Sequence, residues 1–369
     1  MRCKGVVVVP NTTRWTGPWL GATRRPSLQR VANRPIVCHV LDTMLAAGIV
    51  DIAILASDDA IGEISACISA EGPPGACVHY LGLARDGSRD EALAAVAQFA
   101  GEAACVLHLA NGMLGEPLER FAESLHRDSL DALLLVQDDG QETRRLRLVA
   151  RRALSTAVDS STPMPAGAGV CLLGPGALRP AVDAGRAAAE QAASAQADAA
   201  PCEQALDLGL VAQTLAREGG RVHTHAAQKW CLFDGDAHAL LDMNRATLDR
   251  LDPEATTLDA TDGNRFEGAI AIHPSACVSS SVIIGPAIIG ADALIADSYI
   301  GPHTSIGERV RIEGSELERS IVLADASLLH VGGRLVASIV GREARIFRDF
   351  SMPRALRLQV GDGDEVALC

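Results

Sequence analysis

The stretch 272–312, "IHPSACVSSSVIIGPAIIGADALIADSYIGPHTSIGERVRI", decides the fold of the last third of this chain. Aliphatic residues recur in it six apart. Ile272, Val278 and Ile284 are in step; after a one-residue slip so are Ile289 and Ile295, and after a second slip Ile300, Ile306 and Ile312. Ile-Gly pairs recur at 284–285, 289–290, 300–301 and 306–307, where a coil would turn. One inward aliphatic and one turn glycine per six residues mark a parallel β-helix. Each rung forms one short face, three faces close a coil, and the stacked aliphatics form a continuous core. A period sustained over about seven rungs argues against a chain of ordinary hairpins. Val340, Gly341 and Ile346 predict that the coil resumes after an interruption around "VGGRL", 331–335.

Upstream the rhythm is different. Short apolar runs at 5–9, 52–56, 76–81, 105–109, 132–136 and 169–173 read as strands. Helical patterns fall at 35–47, 89–99, 116–126, 203–217 and 237–251. This βαβ alternation predicts a mostly parallel sheet covered on both faces. Ligands of such sheets bind beyond the carboxyl ends of the strands, which places the turn 10–15 at the mouth. Such turns are usually glycine-rich, yet here the first glycine is Gly17. Residues 181–200 are alanine-dominated and are given no role.

Composition narrows the function. The 369 residues are 48% hydrophobic, enough for a substantial core. A net charge of −13 with no basic stripe argues against nucleic acid as a partner. Apolar runs such as 6–9 are too short to span a membrane, and the start lacks an h-region of signal-peptide length. Ten scattered cysteines form no C-x-x-C pair. They read as buried hydrophobes or free thiols of a reducing cytoplasm, not as a zinc site or a disulfide frame. Of the 33 basic residues only Lys4 and Lys229 are lysines.

The segment "SELERSIVLADASLLHVGGRLVASIVGREARIFRDFSMPRALRLQVGDGDEVAL", 315–368, closely resembles the C-terminal domain of the long-form glucose-1-phosphate thymidylyltransferases, members of the sugar-phosphate nucleotidyltransferases. "VANRPIVCHVLDTMLAAGIVDIAIL", 31–55, resembles the stretch after that family's substrate loop. "GGRVHTHAAQKW" followed by "ALLDMNRATL", within 219–248, resembles the last strand and helix of its catalytic domain. The resemblance implies a Rossmann-like nucleotidyltransferase domain over 1–250 and a left-handed parallel β-helix with a tail over 251–369. It also implies a reaction: a sugar 1-phosphate attacks the α-phosphorus of dTTP, with Mg²⁺, and pyrophosphate leaves. The protein contributes positioning and charge neutralisation.

The groups that this chemistry needs are replaced one after another. An ungapped count places the family's loop glycines on Asn11, Thr12 and Arg14 and its loop arginine on Thr16. Asn11, Thr12 and Thr13 thus stand where backbone amides would wrap the triphosphate, without the glycine geometry that close approach needs. The loop lysine falls on Pro26, so Arg14 and Arg25 are the remaining cationic candidates. An arginine fork does not hold a lysine's point position. The Mg²⁺ aspartate is Asn111 in "LANG", and the second carboxylate is Phe233, flanked by Asp234 and Asp236. Mg²⁺ is held mainly by carboxylates and substrate phosphates, and an asparagine brings no charge. Leu83 and Ser88 occupy the base-reading segment, and the sugar-phosphate lysine has no counterpart near 141–152.

An intact scaffold beside eroded chemistry favours a sugar-nucleotide protein with impaired catalysis. It would act as a binding, regulatory or partner subunit, as a homo-oligomer or with an active paralogue. The alternative is an active transferase of changed nucleotide or sugar specificity, using Arg14, Arg25, Asn111, Asp234 and Asp236 in a rebuilt site with Mg²⁺. A different activity on the same scaffold is a third reading. Other signals read as structural. His223 and His225 form a polar strand face, His303 and His330 are surface imidazoles, Ser57 or Asp58 caps a helix, and 141–147 is a solvated hairpin. Trp15 and Trp19 are candidates to plug the mouth.

Overall fold

The computed structural model describes residues 3–10, 25–84, 88–137, 155–157, 169–180, 182–183, 206–227, 230–233, 235–252 and 263–348. The strands of the first part are β1 (Cys3–Val8), β2 (Arg30–Val31), β3 (Arg34–Pro35), β4 (Asp51–Ser57), β5 (Cys77–Leu83), β6 (Ala104–Leu109), β7 (Gly112–Leu114), β8 (Ala132–Gln137), β9 (Ser155–Ala157), β10 (Val170–Leu173), β11 (Val222–Ala227) and β12 (Trp230–Leu232). The helices are α1 (Ile36–Ala46), α2 (Asp58–Glu71), α3 (Arg89–Ala100), α4 (Leu118–Arg127), α5 (Leu208–Arg217) and α6 (Ala237–Leu248).

Eight strands form one sheet in the order β5-β4-β1-β6-β10-β8-β11-β9. Strands β5, β4, β1 and β6 are parallel, whereas β10 runs antiparallel to both of its neighbours. The chain winds outward from β1 to β5, then crosses back to β6 beside β1. That reversal marks a switch point at the carboxyl ends of β1 and β6, where the ligand crevice of such sheets lies. Both faces are covered. Val7 and Val9 join α1, α2 and α4 in one apolar cluster, while Val6 and Val8 join α3 and α5 in another. The near-continuous burial of 5–9 follows from this two-sided cover. The helix expected over 203–217 begins at Leu208, capped by Asp207, whose carboxylate accepts from the Gly209 and Leu210 amides. Among the described residues, no helix is long and apolar enough to cross a membrane.

From Arg265 the chain forms three five-stranded parallel sheets, the stacked faces of a β-helix. Its first coils are 17 residues long rather than 18: Arg265 pairs with Val282, and Val282 with Tyr299. One rung per coil is therefore a residue short. This corrects the expected phase, because Ile283 rather than Ile284 points inward and is fully buried. The inward ladder on that face runs Phe266, Ile283, Ile300, Leu317 and Leu335. The coil is not interrupted around 331–335. Arg311 pairs with Ser327 and Glu316 with Arg334, so two additional residues are absorbed at the corner between them.

The Ile-Gly glycines also serve a different purpose from turning. A Cβ on Gly290 would lie 2.7 Å from the backbone of Gly307 in the next coil, and one on Gly307 2.7 Å from Ala324 N. Close stacking, not a positive φ, requires glycine there. The left-handed corners carry Asp292, Arg309, Asp325 and Glu343 instead. At another corner Ser281, Ser298 and Ser315 form a ladder. Each hydroxyl donates to a carbonyl two residues back and accepts the amide one coil further on.

The two parts meet at the β2–β3 hairpin. Its turn is Ala32 (φ 46°) and Asn33 (φ 64°), both left-handed. The side chain of Asn244 on α6 is fully buried beside it. Its Oδ1 accepts from Ala32 N at 2.9 Å and from the Ser305 hydroxyl at 2.9 Å, and its Nδ2 donates to His303 O at 3.1 Å. Asn33 Nδ2 donates to Ile306 O at 2.6 Å. Beneath these bonds Val31, Ile36, Phe233, Leu240, Met243 and Ile321 pack as one apolar cluster spanning both parts. His303 is thus a joint residue rather than a free surface imidazole, and its Nε2 lies 2.8 Å from Asp249 Oδ1.

Candidate functional site

The crevice is built from strand ends. Val9 N donates to Leu55 O at 2.9 Å and Ala110 N to Val8 O at 2.8 Å, which extends the parallel pairing just past the strands. Asn111 follows immediately and is 4% exposed. Its Nδ2 donates to Phe233 O at 2.8 Å, and Phe233 N donates to Asn111 O at 2.9 Å. These two bonds continue the antiparallel pairing of β7 with β12. The amide nitrogen is committed to a carbonyl, a partner that an ionised aspartate would repel. Asn111 Oδ1 is buried and has no hydrogen-bond partner among the described residues.

Phe233 is fully buried in the joint cluster. Asp236 caps α6, its carboxylate accepting from Ala239 N at 3.3 Å. Mg²⁺ takes near-octahedral oxygen ligands and one or two carboxylates. Among the described residues the two expected positions supply one neutral oxygen, from Asn111, and an apolar ring. They do not fit Mg²⁺.

The other predicted residues have structural tasks. Leu83 is 7% exposed in the core beneath α3. Ser88 caps α3 in a reciprocal box, its hydroxyl accepting from Glu91 N and the Glu91 carboxylate accepting from Ser88 N. The Arg25 guanidinium is held by α2, with Nε 3.0 Å from Glu63 Oε2 and Nη2 3.1 Å from Asp59 Oδ2. Ser57 is at the start of α2 as expected, but its buried hydroxyl makes no capping bond. Asn11, Thr12, Thr13, Arg14, Trp15, Trp19, Asp234 and the segment 141–147 lie outside the described residues.

One aromatic that the sequence did not single out lies under the mouth. Trp230 is 5% exposed, and a Cβ on Gly112 or Gly169 would fall 2.1 or 1.7 Å from its ring. Those two glycines make room for the indole. The His108 ring is set edge-on to it with centroids 5.4 Å apart. His108 Nδ1 donates to Leu109 O at 2.8 Å, leaving Nε2 as a buried acceptor with no partner among the described residues. A "W" after a strand and a "G" on each facing segment were the available sequence signals, but only the register shows them to be opposed.

Burial pushes the His108 imidazole down to about 4, with the bond to Leu109 O a smaller opposing effect. The ring is therefore neutral in the fold and protonated when unfolded below its ordinary value of 6.5. The unfolded chain takes up the proton first. Stability then falls as pH drops from about 6.5 to about 4, by up to roughly 3 kcal/mol from this group. His108→Phe should flatten that limb relative to wild type when urea midpoints are compared at pH 7.5, 5 and 4. An unchanged difference across these pH values would contradict the assignment.

No family model matches the chain. By sequence it is 27% identical over 366 residues to a glucose-1-phosphate thymidylyltransferase of Streptomyces antibioticus, covering 94% of each chain. It is 27% identical to another glucose-1-phosphate thymidylyltransferase, of Streptomyces griseus, over 92% of each. It is 23% identical to a low-salt glycan biosynthesis nucleotidyltransferase of Haloferax volcanii, covering 99% of this chain and all of that one. A solved chain described as a glucose-1-phosphate thymidylyltransferase of Bacillus anthracis, in complex with sucrose, superposes with TM-score 0.47 at 15% identity. That match covers 66% of this chain and 94% of the other.

Proposed function

We propose that this chain, a divergent homologue of the glucose-1-phosphate thymidylyltransferases along nearly its whole length, is a sugar-nucleotide protein with impaired nucleotidyl transfer. In this reading it serves as a binding or partner subunit. The observation that carries the reading is the Asn111–Phe233 pair. The two positions matched to metal carboxylates hold an amide already bonded to a carbonyl and a fully buried phenyl ring. Phosphoryl chemistry of this kind is catalysed by placing charge around the transferring group. Removing one such transition-state contact typically costs about 10²–10³ in rate.

Calorimetry with dTTP, in the presence and absence of Mg²⁺, tests the metal half of this reading. Mg²⁺ is expected to leave the affinity of the protein for dTTP unchanged within about twofold. A gain of tenfold or more would mean that a metal site has been rebuilt from residues other than Asn111 and Phe233, and would favour an active enzyme.

A further inference from the structure

At the end of the sheet opposite the crevice, three chemically different ligands converge. Asp51 opens β4 and Cys77 opens β5, and the two are directly paired in the parallel register. His79 lies two residues along β5, on the same face as Cys77. Cys77 Sγ is 3.6 Å from His79 Nε2, and Asp51 Oδ1 is 2.9 Å from the same nitrogen. One oxygen, one sulfur and one nitrogen all lie within 4.8 Å of one another.

The geometry distinguishes a metal site from a catalytic relay. In a Cys-His-Asp relay the acid and the thiol address different ring nitrogens. Here both approach Nε2, as ligands gathered about one point do. Asp51 Oδ1 is shut off from solvent and, despite the 2.9 Å approach, has no hydrogen-bond partner among the described residues. The carboxylate and the imidazole are close without either donating to the other. The second carboxylate oxygen, Oδ2, faces the Lys4 ammonium at 3.7 Å, which fixes the group and leaves Oδ1 for a ligand role. Lys4 is itself held by Phe99 O at 2.7 Å, and the Phe99 ring also backs the His79 imidazole, with centroids 5.5 Å apart.

We propose that Asp51, Cys77 and His79 form a binding site for a divalent borderline-soft metal ion, with Zn²⁺ the best fit. Tetrahedral Zn²⁺ has bonds of about 2.0–2.3 Å, so its ligand atoms stand about 3.3–3.7 Å apart. The Cys77–His79 separation already meets this, the Asp51–His79 separation needs to lengthen by a few tenths of an ångström, and the Asp51–Cys77 separation lies within 4.8 Å. His79 and Asp51 are partly exposed, so water can take the fourth position. On binding, the Cys77 thiol proton passes to the buffer as the sulfur–metal bond forms. A mixed sulfur, nitrogen and oxygen set excludes Mg²⁺ and Ca²⁺, which take oxygen. The proposal departs from the expectation that the cysteines hold no zinc. The C-x-H spacing on one strand was legible, but the third ligand comes from a neighbouring strand 26 residues earlier.

The test uses full-length protein stripped with chelator and titrated with Zn²⁺, and with Co²⁺ as a spectroscopic probe. Wild type should bind one ion saturably and show a sulfur-to-cobalt charge-transfer band. Cys77→Ser and His79→Gln should each lower affinity by more than the roughly 10–100-fold that loss of an outer-shell partner costs. Cys77→Ser should also abolish the charge-transfer band, while Cys277→Ser, at the other exposed cysteine among the described residues, should change neither reading. Near-UV circular dichroism should be unaltered in all three variants. Absence of saturable binding by wild type, or full binding and an intact band in Cys77→Ser, would overturn the proposal. Neither result depends on nucleotide chemistry, so the proposal stands or falls apart from that reading.

Discussion

Phe233→Asp is expected to destabilise the protein severely and to confer no Mg²⁺ binding. The substitution returns a carboxylate to the position where the resemblance places one. Phe233, however, is fully buried between α6, the strand end at Asn111 and the β-helix. Truncating a buried phenylalanine costs about 3–5 kcal/mol through lost transfer energy and the cavity left behind. An unpaired carboxylate in the same place adds a desolvation cost of several kcal/mol more, or takes up a proton. The sum is a large share of the roughly 5–15 kcal/mol that holds a domain together. Phe233→Leu, which keeps most of the volume, should lose less than about 2 kcal/mol. Urea unfolding followed by circular dichroism separates the two, and calorimetric titration of any soluble Phe233→Asp with Mg²⁺ completes the test. A folded variant that binds Mg²⁺ would show that the metal position survives beneath the phenyl ring.

Asn244→Ala should also damage the joint heavily. The buried amide accepts from the Ala32 amide and the Ser305 hydroxyl and donates to His303 O. Removing it orphans buried groups in both parts of the protein at once, at about 1–3 kcal/mol for each one left unsatisfied. With three partners lost, a total of about 3 kcal/mol or more follows. The loss is concentrated where the α/β sheet meets the β-helix, so the consequence is also one of cooperativity. Calorimetric unfolding should split into two transitions in Asn244→Ala where wild type shows one coupled event. A single transition with an unchanged midpoint would mean that the apolar cluster alone couples the two parts.

The same region explains what could and could not be read from the chain. Local period and composition reveal the elements, because a strand buried on both faces must read as an apolar run, as 5–9 does. They also reveal the β-helix, since each inward rung must be aliphatic. They do not reveal its phase. A corner that omits one residue shifts the inward position from Ile284 to Ile283, and nothing local distinguishes these two isoleucines. The stretch 31–35 reads as the start of a segment that follows a substrate loop, and its Ala32 and Asn33 turn is a fastening between the two parts. Its resemblance to the family therefore reflects architecture as much as chemistry. At the crevice, Asn111 and Phe233 are legible as replacements. Their bond to one another is not, because it joins residues 122 positions apart. Ser88 and Leu83 lie in a segment matched to base reading, but cap and core duties already use their side chains.

In the proposed reading the scaffold persists while the charge arrangement for nucleotidyl transfer does not. Steady-state release of pyrophosphate from dTTP and glucose 1-phosphate, with saturating Mg²⁺, measures that arrangement directly. The account predicts turnover below about 10⁻² s⁻¹, about 10²-fold or more under the lower end of the roughly 1–10³ s⁻¹ of ordinary enzymes. Turnover within that ordinary range would contradict it.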